Sequence, residues 1–145
     1  MSKIFKNKKN VICGFTLVET LVSISIFTMS ILGLMSILAS GISNTNYAKQ
    51  KIVAEYLAQE GVEHARNIRD THSLYDLNSG WDNFKNDSSV INYPTPSDYS
   101  NFTRTINLTT ISANEVKITS DVSWVQGSGT QHAILSENLF DWIEQ

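Results

Sequence analysis

Charge is missing where a soluble protein of this size would carry it. Between Thr20 and Ile42 lie 23 consecutive residues without Asp, Glu, Lys, Arg or His. Cysteine and proline are scarce as well, with one and two copies in 145 residues. The single thiol, Cys13, excludes an intrachain disulfide, so any folded part must be held by core packing. Both prolines, Pro94 and Pro96, come late, which leaves residues 15–70 without a helix breaker. Catalytic constellations are lacking too. His64, His72 and His132 are far apart and show no zinc-ligand spacing. There is no glycine-rich phosphate loop, and no serine stands in a nucleophile-elbow pattern. Enzyme chemistry, a catalytic metal and a cofactor are not expected.

What is present begins with the uncharged run itself. About 20 apolar residues cross the hydrocarbon layer of a membrane, so residues 17–42 read as a transmembrane helix. Ser23, Ser25, Thr28, Ser30, Ser36 and Ser40 interrupt it. Small hydroxyl residues are tolerated there because they bond back to the backbone or across to another helix. Lys3, Lys6, Lys8 and Lys9 precede the run, which favours a cytoplasmic N-terminus. With the whole chain at −3, the residues after position 14 carry −7. That acidic remainder would lie on the far side and is not the profile of a nucleic-acid binder. One carboxylate, Glu19, enters the apolar run with no basic residue near it inside the run.

Simple export signals do not account for this pattern. A cleaved secretory signal could use the small residues Ala39-Ser40-Gly41, but its apolar region is about 7–15 residues long. This run is longer and contains an acid. A lipoprotein signal would place a cysteine after the run, whereas Cys13 precedes it. An uncleaved single-pass signal anchor with an extracytoplasmic, ligand-binding β-rich head fits the length and orientation. It leaves Glu19 without a reason.

Lys8-Lys9, then Gly14-Phe15-Thr16-Leu17-Val18-Glu19, resembles the processing site of type IV pilins and pseudopilins. The resemblance implies a basic leader, residues 1–14, cut between Gly14 and Phe15 by a membrane-embedded prepilin peptidase that then methylates the amine of Phe15. Glycine suits the position before the bond, since it presents little side chain to a protease cleft. Cleavage would create an ammonium on Phe15, with a reference pKa of about 8, and methylation keeps its charge. An acid at mid-membrane depth costs about 3 kcal/mol, and less near an interface. The new ammonium is a cation that could neutralise Glu19, either within one chain or from a neighbouring subunit. The resemblance favours the neighbour, which would make Glu19 a selector of register during assembly. It further implies a filament subunit of a type IV pilus or secretion pseudopilus, with other subunits, membrane lipid and an inner-membrane assembly platform as partners. The segment "LAQEGVEHARNIRD" resembles minor pilins of the PilV type.

Helix signals continue past the membrane run. Ala54, Leu57, Ala58, Gly61, Ala65 and Ile68 recur at spacings of three and four, one apolar stripe with small residues that let a sheet approach closely. The long helix is predicted over residues 15–70. Ser43-Asn44-Thr45-Asn46, poor helix formers, is its expected weak point. Many pilins kink this half with prolines, and none is present here.

Residues 71–101 are polar and read as the connection between helix and sheet. Leu74, Tyr75, Leu77, Trp81 and Phe84 are expected to pin that loop to the head. "DLNSGWD" places Asp76, Asn78 and Asp82 around Gly80, superficially like a calcium loop, but without the EF-hand glycine position and terminal glutamate. Alternation of Phe102, Ile106 and Leu108, and of Val116, Ile118, Val122 and Trp124, marks two strands. Turns fall at Ser112-Ala113-Asn114 and Gln126-Gly127-Ser128-Gly129. A third strand is placed near His132–Leu135, and "LFDWI" is a fourth strand or a docking segment. Trp124, Phe140 and Trp142 are expected to anchor the C-terminus. Asn-x-Ser/Thr triplets at Asn86, Asn101 and Asn107 are incidental in a chain this rich in those residues. The fold class is α+β, a long N-terminal helix on a three- or four-stranded antiparallel head over residues 102–145. This is the pilin fold that the resemblance implies.

Overall fold

The computed structural model describes residues 14–142. The fold is α+β, a long N-terminal helix packed on a three-stranded antiparallel sheet. Helix α1 spans Leu17–Tyr75. Two short helices follow, α2 (Gly80–Asn86) and α3 (Ser88–Ile91), and then a single 3₁₀ turn at Ser97–Tyr99. Strands β1 (Phe102–Ser112), β2 (Glu115–Gln126) and β3 (Gly129–Phe140) pair in sequence order as a meander. The chain divides into two compact units, one ending at Ser43 and one beginning at Asn44. The poor helix formers at 43–46 thus mark the boundary between units, while the helical assignment runs through them.

In the second unit, the small residues of α1 account for the packing. Ala54, Leu57, Ala58, Val62 and Ala65 are all at most 4% exposed. Gly61 lies so close to the sheet that a Cβ would stand 2.6 Å from Ser120 Oγ. Two apolar clusters flank this contact. One gathers Val62, Ala65, Trp81, Phe84, Val90, Ile106, Val116, Ile118 and Leu139. The other gathers Ala54, Leu57, Ala58, Val122, Trp124 and Ala133. Between them, β1 and β2 supply Arg104 and Ser120, both buried.

Alternation along β2 is complete: Val116, Ile118, Ser120, Val122 and Trp124 are buried, and the residues between them are not. Such a strand has one face on the core and one facing out. The β2–β3 hairpin closes through Gly127-Ser128 between paired Gln126 and Gly129, with Gly127 at φ 61°. A positive φ at this first central position suits the right-handed twist of the flanking strands. The β1–β2 turn contains Ala113-Asn114, with a register shift between Thr110 and Ser112.

Four expectations are corrected. Helix α1 continues to Tyr75, five residues beyond the predicted end at Asp70, because nothing in "THSLY" breaks it. The connecting segment is two short helices and a 3₁₀ turn rather than an irregular loop. The third strand extends to Phe140 and takes in the start of "LFDWI", so the sheet has three strands. Finally, the aromatic and apolar residues predicted to pin the segments divide in two. Trp81, Phe84 and Trp124 are buried, whereas Leu74, Tyr75, Leu77, Phe140 and Trp142 are all more than half exposed. Just after β3 the chain is held instead by a backbone bond, the Asp141 N–H donating to Asn114 O at 3.0 Å.

Candidate functional site

Three of the sequence-derived site residues, Gly14, Phe15 and Glu19, lie at the start of α1. Gly14, Phe15 and Thr16 precede the helix, and all three are exposed. Thr16 Oγ1 accepts the Glu19 N–H at 3.3 Å, satisfying one of the amides that a helix start leaves open. Glu19 is the acid of the first turn, where the positive end of the helix dipole favours a negative charge. The Gly14–Phe15 bond therefore lies in non-helical backbone with its side chains in the open. No atom lies within 4 Å of where a Cβ on Gly14 would be. A peptidase needs that geometry, since a bond inside a helical turn cannot be drawn out into a cleft. Among the described residues no cation is paired with Glu19. Lys8 and Lys9 lie outside the described residues.

Downstream, the hydroxyls of the apolar run turn back onto their own helix. Ser23 donates to Glu19 O, Ser25 to Leu21 O and Ser30 to Ile26 O, each at 2.8 Å, and Ser40 donates to Ser36 O at 3.1 Å. Thr20 and Thr28 bond three residues back, at 2.8 and 2.9 Å. These six hydroxyls are thus satisfied without water, which removes most of the cost of placing them in hydrocarbon. Among the described residues α1 is the one helix long and apolar enough to cross a membrane, and its apolar window buries nothing within the chain.

The calcium-like segment is engaged with itself. Asp76 Oδ1 accepts the N–H groups of Asn78 and Ser79, each at 3.1 Å, and Oδ2 accepts Asn83 Nδ2 at 3.3 Å. Asp82 pairs with Lys85 at 2.7 Å. These carboxylates shape the entry to α2, and no group of three potential metal ligands converges among the described residues. The histidines are likewise apart. His72 Nε2 meets Asp87 Oδ2 at 2.8 Å, His64 Nε2 meets Ser89 O at 3.2 Å, and His132 Nδ1 meets Asp121 at 3.0 Å on the outer sheet face.

Sequence reasoning missed the polar centre of the second unit. Arg104, whose side chain is 0% exposed, donates to Glu60 Oε2 at 2.8 Å, Leu57 O at 3.0 Å and Pro94 O at 2.6 Å. Its guanidinium lies 4.3 Å from the Tyr93 ring centroid, and the His64 ring stacks on the same tyrosine at 3.8 Å. Tyr93 donates to Glu60 Oε1 at 2.9 Å. Burial pushes the Glu60 carboxyl up, but the hydrogen bonds from Arg104 and Tyr93 outweigh it and hold the group below its usual value. The cluster ties α1, the connecting segment and β1 at one point. Its signal was available: Arg104 occupies an inward position between Phe102 and Ile106.

Comparison with family models, curated proteins and solved structures gives no match.

Proposed function

We propose that this chain is a minor pilin or pseudopilin. In this reading it is inserted with its N-terminus in the cytoplasm, cut by prepilin peptidase between Gly14 and Phe15, methylated on Phe15, and assembled into an extracellular or periplasmic filament of a type IV pilus or secretion pseudopilus. The observation that carries the reading is the arrangement at the start of α1. An exposed, non-helical Gly14–Phe15 bond stands one turn before a carboxylate that is followed by an uncharged run from Thr20 to Ile42. A cut there would place the new ammonium of Phe15 beside or opposite Glu19 when helices pack, and an acid in an apolar bundle requires such a cation.

The uncovered apolar face of α1 supports the same reading. Lipid covers it in a single subunit, and neighbouring helices would cover it in a filament. The hydroxyls bonded to their own backbone suit both settings. The PilV-like helix segment and the small β head favour a minor subunit.

Intact-mass measurement on protein extracted from its native membrane tests this. The expected mass lacks residues 1–14 and carries one added methyl group. An intact start at Met1 would leave the signal-anchor reading, and a start near Gly41 would leave a secreted protein.

A further inference from the structure

A cut between Gly14 and Phe15 requires that α1 begin downstream of that bond, and one side chain marks where it begins. Thr16 immediately precedes Leu17, the first residue of α1, and so occupies the N-cap position. Both marks of a cap are present. The Thr16 carbonyl accepts the first bond of the helix, from the Thr20 N–H at 3.2 Å. The Thr16 hydroxyl oxygen accepts the Glu19 N–H at 3.3 Å. Thr16-Leu17-Val18-Glu19 has the spacing of a capping box, in which the glutamate side chain also bonds back to the cap amide. Among the described residues only the threonine half is formed. The cap and the carboxylate are therefore separable.

A competing start lies two residues upstream. Threonine and glycine cap helices about equally well, and large apolar side chains cap them poorly. Of Ile12, Cys13, Gly14 and Phe15, the glycine is the good cap. A helix capped by Gly14 would take Phe15 as its first residue and close the Gly14–Phe15 bond into its opening turn. Space does not forbid it: Phe15 is 70% exposed, and no atom lies within 4 Å of a Cβ built on Gly14. Propensity does not forbid it either, since phenylalanine and threonine are both middling helix formers. The bond from the Glu19 N–H to Thr16 Oγ1 is what favours the later start.

We propose that Thr16 is a positioning residue for the cut. By capping α1 two residues past Gly14, its hydroxyl keeps the Gly14–Phe15 bond outside the helix, where a peptidase can draw it into a cleft. This rests on the processing reading and adds to it the residue that holds the substrate bond open. Thr16 takes no part in the bond chemistry. It sets the fraction of chains whose bond is free of the helix, and loss of an N-cap shifts such a balance by about fivefold.

The test follows conversion of precursor to mature chain by pulse labelling of the full protein in its native membrane, read by mass as loss of residues 1–14. Thr16→Ala removes the acceptor and favours helix at the same position, and is expected to slow conversion by about fivefold. Thr16→Ser keeps the acceptor and should be cut at the wild-type rate. Thr16→Ala combined with Leu17→Ser moves the cap one residue downstream and should restore the rate. That double variant separates capping from recognition: a peptidase that reads the Thr16 hydroxyl directly would leave it slow, and this result overturns the inference. Wild-type conversion of Thr16→Ala alone overturns it as well. In both cases a wild type cut after Gly14 leaves the processing reading standing. A wild type that retains Met1 sinks that reading and the inference with it. Thr16 is exposed and belongs to the first unit, so these variants leave the packing of the second unit untouched.

Discussion

Arg104 reaches across from β1 to Glu60 on α1, 2.8 Å from guanidinium nitrogen to carboxylate oxygen, with Arg104 wholly buried and Glu60 at the surface. The pair is therefore asymmetric. Losing the arginine leaves a carboxylate that water can reach. Losing the glutamate leaves a buried cation with the carbonyls of Leu57 and Pro94 and the face of the Tyr93 ring, and no counter-charge. Removing one partner of a buried pair costs about 3–5 kcal/mol. Glu60→Ala is expected near the lower end of that range, with Arg104→Met costing less. Urea unfolding of the solubilised chain measures both. Equal costs, or a larger cost for Arg104→Met, would contradict the asymmetry.

Gly61 and Ser120 supply a second test. A Cβ at Gly61 would stand 2.6 Å from Ser120 Oγ and 3.2 Å from Arg104 Cδ and Ile106 Cδ1. Overpacking of this kind costs about 1–3 kcal/mol. Ser120 Oγ is buried with no hydrogen-bond partner among the described residues, so Ser120→Ala alone should be neutral or mildly stabilising. Gly61→Ala is expected to destabilise, and the double variant to recover part of the loss. Strict additivity in the unfolding midpoints would mean that the two side chains do not meet.

Acid should loosen α3. Asp87 is held at about 2, first by its hydrogen bond with His72 and then by bonds from the side chain and backbone of Ser89. Its folded value is depressed, so the stabilisation is fully present above the unfolded value of about 4 and is lost as pH falls to about 2. The amount is about 2 kcal/mol, from a shift of somewhat under two units. Wild type should exceed Asp87→Asn in stability by that amount at pH 6, and the gap should close by pH 2. A gap independent of pH would assign the role of Asp87 to something other than its charge.

If the proposed cut after Gly14 occurs, Gly14→Val should block it, since a β-branched side chain would stand where the exposed bond now has none. The precursor, with its leader, is expected in the membrane fraction. Glu19→Val should leave the cut intact and lower the subunit's share of sheared filaments by at least about tenfold. Mass spectrometry of membranes and filaments reads both. Normal incorporation of Glu19→Val would remove the assembly role proposed for the carboxylate.

The helix and the strands were legible because each writes its own period. Small and apolar residues at threes and fours fixed the packed stripe from Ala54 to Ala65, and alternation fixed the inward set Val116, Ile118, Val122 and Trp124. The β2–β3 turn was legible because Gln126-Gly127-Ser128-Gly129 offers a glycine where a positive φ is needed. Helix α2 was not. It begins at Gly80, pressed so tightly on α1 that a Cβ would lie 2.3 Å from His72 O, and nothing local in "DLNSGWD" announces a long-range backbone contact. The apolar letters of residues 74–84 gave no sign of which would be buried.

Sequence alone determined the uncharged span, the glycine–phenylalanine pair ahead of it and the acid one turn in, since each depends only on neighbours along the chain. Tertiary structure alone decided that Arg104 would bind Glu60, Leu57 and Pro94, and that Leu74, Tyr75 and Leu77 would face outward. Those outcomes turn on which surfaces meet across tens of residues, and a one-dimensional pattern of polar and apolar letters does not encode that meeting.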